Sequence, residues 1–188
     1  MAGTAAEGEG AAKFQWSPPE IGAGIFTGDL GMLDRERDEY ANSLAGYAQA
    51  RVAAAKASPA SLAEARRLVA LALHLSSRNR KATVLRYQLS KGVLPEAAPG
   101  EYQPDVLARL LFERSVELKK QGGTENLLCA RLFTELSAEM DPKNEDAVYA
   151  SEMQRLDHGS VNWKDLTDVK PVPKGEAKED GKDGNVPP

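Results

Sequence analysis

The sequence predicts an all-α fold of about six helices, and three observations support this. Alanine is abundant and β-branched residues are sparse away from the chain ends, a composition that favours helix over sheet. From Leu33 onward, apolar residues recur at spacings of three and four, which is the period of an amphipathic helix. One helix, its turn and the start of the next helix also recur later in the chain, as in a duplicated helical unit.

Length and composition fit one soluble domain with a sizeable core. The chain has 188 residues, of which 41% are hydrophobic and 28% charged, and its net charge of -4 is too mild to indicate a nucleic-acid or membrane partner. No run approaches the 18 apolar residues of a membrane span. The single cysteine, Cys129, excludes an intrachain disulfide. A lone thiol slightly favours the cytoplasm, and the periplasm is the alternative if a signal or anchor was removed.

Helix boundaries follow from caps and breakers. Pro59, after Ser58, is predicted to lie in the first turn of one helix, and Asn79 is predicted to begin another. Three glycines, Gly92, Gly122 and Gly159, are predicted to end helices. The predicted helices run from Leu33 to about Ala57, from Ser58-Pro59 to Ser76-Ser77, from Asn79 to Lys91, from Pro104 to Gly122, from Thr124 to Asp141-Pro142 and from Asn144 to Gly159.

The two ends of the chain differ from the middle, which suggests three parts. Residues 1–28 are predicted to be an arm or linker, residues 29–168 the helical domain, and residues 169–188 a polar tail or linker. The arm is apolar but rich in proline and glycine, so it is predicted to lie extended against a helical body. That body could be its own or that of another copy, and exchange of the arm between copies stays open. The predicted arm contacts are Phe14, Trp16, Ile25 and Phe26.

An internal repeat links residues that lie 65 positions apart. Asn79 recurs as Asn144 at this spacing, and the agreement continues without gaps through the turn. The identical pairs are Leu62 and Leu127, Ala65 and Ala130, Arg66 and Arg131, Leu71 and Leu136, and Ala82 and Ala147.

The turn of this repeat resembles a known helical family. Small residues and a Pro-x-Asn pair occur in the order Ala130, Ser137, Pro142, Asn144 and Ala147, which resembles the junction between successive tetratricopeptide repeats. The resemblance covers residues 60–92 and 124–157 and is weaker elsewhere. The spacing differs from the 34 residues of that family, and its Trp/Leu-Gly/Tyr signature is missing. The resemblance implies a divergent, short, irregular solenoid of stacked helical hairpins, with a concave groove that binds peptides or protein segments.

No catalytic, cofactor or metal site is predicted. His74 and His158 each lie near a helix C-terminus, where a capping or surface role explains them. One cysteine and no paired His or Cys spacing argue against zinc, and Cys129 is predicted to be a buried small hydrophobe. The glycine pairs lack the sequence context of a phosphate-binding loop. We therefore expect a chain that is not an enzyme.

Charge is unevenly distributed between the two copies of the repeat. Residues 59–94 contain seven basic residues and one acid, a net charge of +6, whereas residues 124–158 contain eight acids and three basic residues, a net charge of −5. If the tetratricopeptide resemblance holds, the third helix corresponds to one that lines the groove. The predicted partner-binding set is Arg80, Arg86, Tyr87 and Gln88, with Arg109 and Arg114 of the fourth helix. For Tyr87 a core position is the alternative, and for Arg114 a buried ion pair.

The favoured function is a protein-interaction or scaffold module that binds a protein segment or assembles into a complex. An accessory domain of a longer enzyme or of a membrane-anchored protein is the second reading, because both ends resemble linkers. Binding of nucleic acid through the basic residues is the third, and it ranks below protein because Tyr87 is the only aromatic beside those cations.

Overall fold

The computed structural model describes residues 14–97 and 103–170, and these residues form seven helices. The helices are α1 (Asp34–Ala54), α2 (Pro59–Leu75), α3 (Arg80–Ser90), α4 (Pro104–Gln121), α5 (Thr124–Met140), α6 (Glu145–His158) and α7 (Lys164–Thr167). Within these ranges the only strand-like pairing is a single parallel bridge between Glu20 and Asp168. The all-α prediction is confirmed, and the solenoid arrangement stays a prediction. The sequence did not predict α7, a single turn that buries one large apolar side chain, Leu166.

The end of α1 differs from the prediction because the backbone turns early. The helix ends at Ala54 rather than Ala57, and Lys56 and Ala57 have φ angles of 48° and 54°. A left-handed conformation at two successive residues cannot continue a right-handed helix. The next helix then starts as predicted: Pro59 occupies its first turn, and the Ser58 side chain accepts a hydrogen bond from the Ser61 N–H at 3.2 Å.

The internal repeat has matching helix boundaries. Both α2 and α5 contain 17 residues, and they begin at Pro59 and Thr124, which are 65 positions apart. Both Asn79 and Asn144 cap the helix that follows, because their Oδ1 atoms accept hydrogen bonds from the N–H groups three residues later, at 2.9 and 3.1 Å. The duplicated sequence therefore folds into duplicated local structure.

The helices pack as two principal pairs, α1 with α2 and α4 with α5. The helix α3 lies against both α1 and α2, whereas α6 lies against α5 and α7 lies against α2. Between the pairs, the Tyr40 and Phe133 rings are in contact, with centroids 5.1 Å apart. The residue Leu33, predicted to start the apolar stripe of α1, is 79% exposed, and the buried stripe begins at Ala41.

The arm packs against the helices of its own chain. Trp16 and Phe26 are both 9% exposed, and the Trp16 indole Nε1–H donates to the Leu62 carbonyl oxygen at 3.0 Å. In this structure residues 14–33, which are the arm and the residues that link it to α1, lie against the helices of the same chain, and exchange of the arm between copies stays a hypothesis. The predicted contacts Phe14 and Ile25 are half-buried against the same core.

Four arginine side chains donate hydrogen bonds to main-chain carbonyl groups of the arm. An extended segment has no helical partner for these carbonyls, so side chains of the body must supply the donors. The pairs are Arg66 with Ser17, Arg86 with Pro19, Arg37 with Thr27 and Arg114 with Gly31. The arm is therefore recognised through its backbone as well as through its aromatic side chains.

His74 connects the arm to α7. Its Nδ1 accepts from the Ile25 N–H at 3.2 Å, and its Nε2–H donates to the Leu166 carbonyl oxygen at 2.7 Å. The ring is 4% exposed, so the expected capping or surface role is wrong for this residue. Burial lowers the pKa of His74 below its ordinary value, although the bond to Leu166 opposes this shift.

No helix within the described residues is both long enough and apolar enough to cross a membrane.

Candidate interaction surfaces

The first candidate surface is a groove between α1 and α3, called here the α1–α3 groove. It has a volume of about 520 Å³. Two residues of the predicted partner-binding set, Arg80 and Gln88, line it together with Lys81 and Val84 of α3. The facing wall comes from α1 and presents mainly amide side chains, including Asn42 and Gln49. The surface thus combines cations with hydrogen-bonding groups.

A buried polar cluster at the base of this groove fixes α3 against α1. The Nδ2 group of Asn79 donates to Asp38 Oδ1 at 2.9 Å and to Asn42 Oδ1 at 2.8 Å, while its Oδ1 caps α3. Ser76 adds a second donor to Asp38 at 2.8 Å. Because both the Nδ2 and the Oδ1 atoms of Asn79 form hydrogen bonds, the side chain holds the start of α3 at a defined distance from α1.

Tyr87 is on the surface rather than in the core. It is 64% exposed, and the Lys91 ammonium lies 5.5 Å from the centre of its ring, within cation–π range. Val84, one turn earlier on α3, is 46% exposed. The helix α3 therefore presents apolar and cationic groups together.

Arg86 and Arg114, two members of the predicted set, are directed towards the arm. Arg86 donates to the Pro19 carbonyl at 3.2 Å, and Arg114 donates to the Gly31 carbonyl at 2.6 Å and pairs with Glu36. The sequence offered a buried ion pair as the alternative for Arg114, and the structure has an ion pair with Glu36 that is part-buried. Arg109 is exposed on α4. The structure brings Arg80 and Gln88 together in one groove and does not place Arg86 or Arg114 there.

The second candidate surface, called here the α5–α6 groove, lies beside α6 and is largely apolar. Its volume is about 660 Å³, and its walls include Leu127, Tyr149 and Met153. Leu127 is 46% exposed and Tyr149 67% exposed. Sequence reasoning missed this groove because it assigned Leu127 to the core stripe of α5. The sequence contains one signal for this groove, Leu127. It matches Leu62 in the repeat, but the sequence does not show that Leu127 is exposed.

Two polar atoms in this groove are buried without a partner. Among the described residues, neither Arg131 Nε nor Gln154 Oε1 has a hydrogen-bond partner. Other atoms of both side chains are engaged: Arg131 Nη2 donates to the Gly159 carbonyl at 3.3 Å, and Gln154 Nε2 donates to the Arg131 carbonyl at 2.9 Å. These bonds hold both side chains, and the buried Arg131 Nε and Gln154 Oε1 atoms are left unpaired among the described residues, beside a groove whose walls also include Lys119, Asp157 and His158.

The comparisons with known proteins add no relative. No family model, curated protein or solved structure matches this chain. The tetratricopeptide resemblance therefore stays a prediction that depends on the residues of the repeat.

The titratable groups with clearly raised pKa values lie away from both grooves. Burial raises the pKa of the Cys129 thiol well above its ordinary value, and the side chain is fully buried, as its sequence position predicts. Burial, followed by the nearby Glu36 carboxylate, raises the pKa of Tyr40 to about 12. Within the described ranges no three His, Cys, Asp or Glu side chains cluster as metal ligands would. Burial lowers the pKa of Lys119, which lines the α5–α6 groove. The two grooves present cations, amides and apolar walls.

Proposed function

We propose that this chain is a non-catalytic protein-interaction module of the tetratricopeptide-like type, which binds a protein segment and thereby assembles a larger complex. The observation that carries the proposal is the α1–α3 groove, in which Arg80, Lys81 and Gln88 lie beside the exposed Val84. Cations, amides and an exposed apolar residue in one concave surface suit the side chains and backbone of a polypeptide.

The charge of this surface favours an acidic partner segment. Two cations, Arg80 and Lys81, line the groove against one carboxylate, Asp38, which accepts hydrogen bonds from Ser76 and Asn79. Arg80 forms no salt bridge among the described residues. Complementary charge steers association and fixes the orientation of the partner. A polypeptide is a better fit than nucleic acid because a single exposed aromatic, Tyr87, accompanies the cations on α3, whereas single-stranded nucleic acids stack on successive aromatics.

Affinity capture from the native cell extract tests this function. The wild type is compared with Arg80→Glu, and captured proteins are quantified by mass spectrometry. Arg86 is unsuitable for this purpose because its charge reversal would also disturb the arm at Pro19. Lys143→Glu is the matched control, since it makes the same charge change on an exposed turn far along the chain, between α5 and α6.

We expect at least one acidic protein that is retained by the wild type and by Lys143→Glu and is lost with Arg80→Glu. If the wild type and both variants retained the partner equally, the binding surface would not be the α1–α3 groove. The absence of any specific partner would contradict the interaction module and favour an accessory domain within a longer protein.

A further inference from the structure

The two copies of the repeat differ in what covers them. Leu62 on α2 is only 8% exposed, and the Trp16 indole hydrogen-bonds to its carbonyl oxygen. Leu127, the matching residue 65 positions later on α5, is 46% exposed. The start of the arm therefore covers the first copy, and no described segment covers the second copy to the same extent.

The matching arginines show the same difference at the level of single atoms. Arg66 Nε donates to the Ser17 carbonyl of the arm at 3.0 Å. In the second copy, Arg131 Nε is buried and has no partner among the described residues. A buried N–H without a partner is destabilising, so a carbonyl group that reached Arg131 Nε would relieve this cost.

We propose that the α5–α6 groove binds an extended segment of another protein, anchored by an aromatic side chain, in the way that α2 binds the start of this chain's own arm. The inference goes beyond the proposed function, because it assigns a second binding surface to a segment of different chemistry.

The chemistry of the groove matches the backbone and side chain of such a segment. Leu127, Tyr149 and Met153 provide apolar walls for an aromatic ring. Rotation of these two buried side chains towards the groove would let Arg131 Nε donate to a main-chain carbonyl and Gln154 Oε1 accept from a main-chain or indole N–H. Its volume of about 660 Å³ lies in the range of small-ligand pockets, about 300–1,000 Å³, and accommodates a large side chain with its neighbours.

We infer an occupant from another protein because the segments of this chain offer no free tryptophan for the anchor. Residues 1–13 and 171–188 contain no Phe, Tyr or Trp. Both tryptophans are already placed: Trp16 packs on α2, and the Trp163 indole donates to Glu135 at 2.7 Å. A second copy could offer its arm only by withdrawing Trp16, which would expose its own Leu62 to water.

A synthetic peptide tests the groove directly. The probe carries the arm sequence from Phe14 to Ile21, Phe-Gln-Trp-Ser-Pro-Pro-Glu-Ile, with a fluorescent label, and is titrated with the full-length chain while anisotropy is recorded. We expect saturable binding that weakens about tenfold with Arg131→Ala, the loss typical of one hydrogen bond to a charged group. Replacing the tryptophan of the peptide by alanine should remove the binding.

Two matched pairs of variants separate this groove from the rest of the surface. Arg66→Ala makes the same change at the equivalent position of the first copy, and it should leave the binding unchanged or strengthen it by loosening the arm. Leu127→Asp should abolish binding, whereas Leu156→Asp, which replaces a 68% exposed leucine of α6 outside the groove, should not. Circular dichroism confirms that each variant is folded.

Three results would overturn the inference. The first is no saturable binding to the wild type at about 1 mM peptide, near the weak end of specific recognition. The second is binding that depends on Arg66 but not on Arg131, because the peptide would then be displacing the arm. The third is a wild-type dimer in analytical ultracentrifugation that Leu127→Asp converts to monomer, because a second copy would then be the occupant. None of these affects the capture experiment with Arg80→Glu, so the proposed function can survive their outcome.

Discussion

At the scale of single residues, His74 shows how one side chain can connect three parts of the chain. It belongs to α2, accepts a hydrogen bond from the arm at Ile25 and donates one to Leu166 in α7. Both bonds need the neutral ring with its proton on Nε2, because Nδ1 must keep a free lone pair. The sequence placed His74 correctly near a helix end and could not show that two other segments enclose it.

Stability is therefore expected to fall with acidification. Burial lowers the pKa of His74 in the folded chain relative to 6.5, so the unfolded chain binds the proton more readily. The contribution of the neutral ring is complete above about pH 6.5 and is lost as the pH falls from there towards the lowered folded-state pKa. For one group the slope cannot exceed about 1.4 kcal/mol per pH unit.

Urea unfolding at pH 7.5 and 5.5 measures this effect. The wild type and His158→Gln, which changes the exposed histidine, should both lose stability at the lower pH. The variant His74→Gln should be less stable at pH 7.5 and should lose less on acidification. An equal loss in His74→Gln and the wild type would show that other groups are responsible.

At the scale of elements, the arm is a recognition segment that the chain binds itself. Aromatic side chains anchor it, and arginines of α1, α2, α3 and α4 donate to its carbonyls. Sequence reasoning predicted an extended arm against a helical body, which the structure has. It assigned Arg86 and Arg114 to a partner because nothing in a linear sequence shows that a distant backbone reaches them.

Truncating the Trp16 side chain is expected to destabilise the whole chain. The ring is 9% exposed and hydrogen-bonded, and removing a buried large aromatic typically costs about 3–5 kcal/mol. Tyr149→Ala, which removes an aromatic that is 67% exposed, should change the unfolding free energy by less than about 0.5 kcal/mol. Urea unfolding of both variants provides the comparison, and equal stabilities would mean that the arm does not pack on the body in solution.

At the scale of the whole molecule, the duplicated sequence predicts the helices better than it predicts the binding surfaces. Helical period, caps and breakers located six helices, and the 65-residue repeat recurs in the boundaries of α2 and α5. These signals depend only on neighbouring residues, so they can be read from the sequence without the tertiary structure. The difference between Leu62 and Leu127 is not local, because it depends on which copy the arm covers. The open α5–α6 groove is therefore visible in the structure and not in the sequence.

The central claim is that a partner segment binds where α5 leaves open Leu127 and Arg131, the positions that match Leu62 and Arg66 under the arm on α2. Titration of the unlabelled Phe14–Ile21 peptide into the isotope-labelled full-length chain, followed by NMR, tests it most directly. The chain has two tryptophans, so its two indole N–H signals report on Trp16 and Trp163 separately. The account predicts shifts at Leu127, Tyr149 and Met153 while the Trp16 indole signal stays in place. A displaced Trp16 signal with an unchanged α5–α6 groove would contradict it.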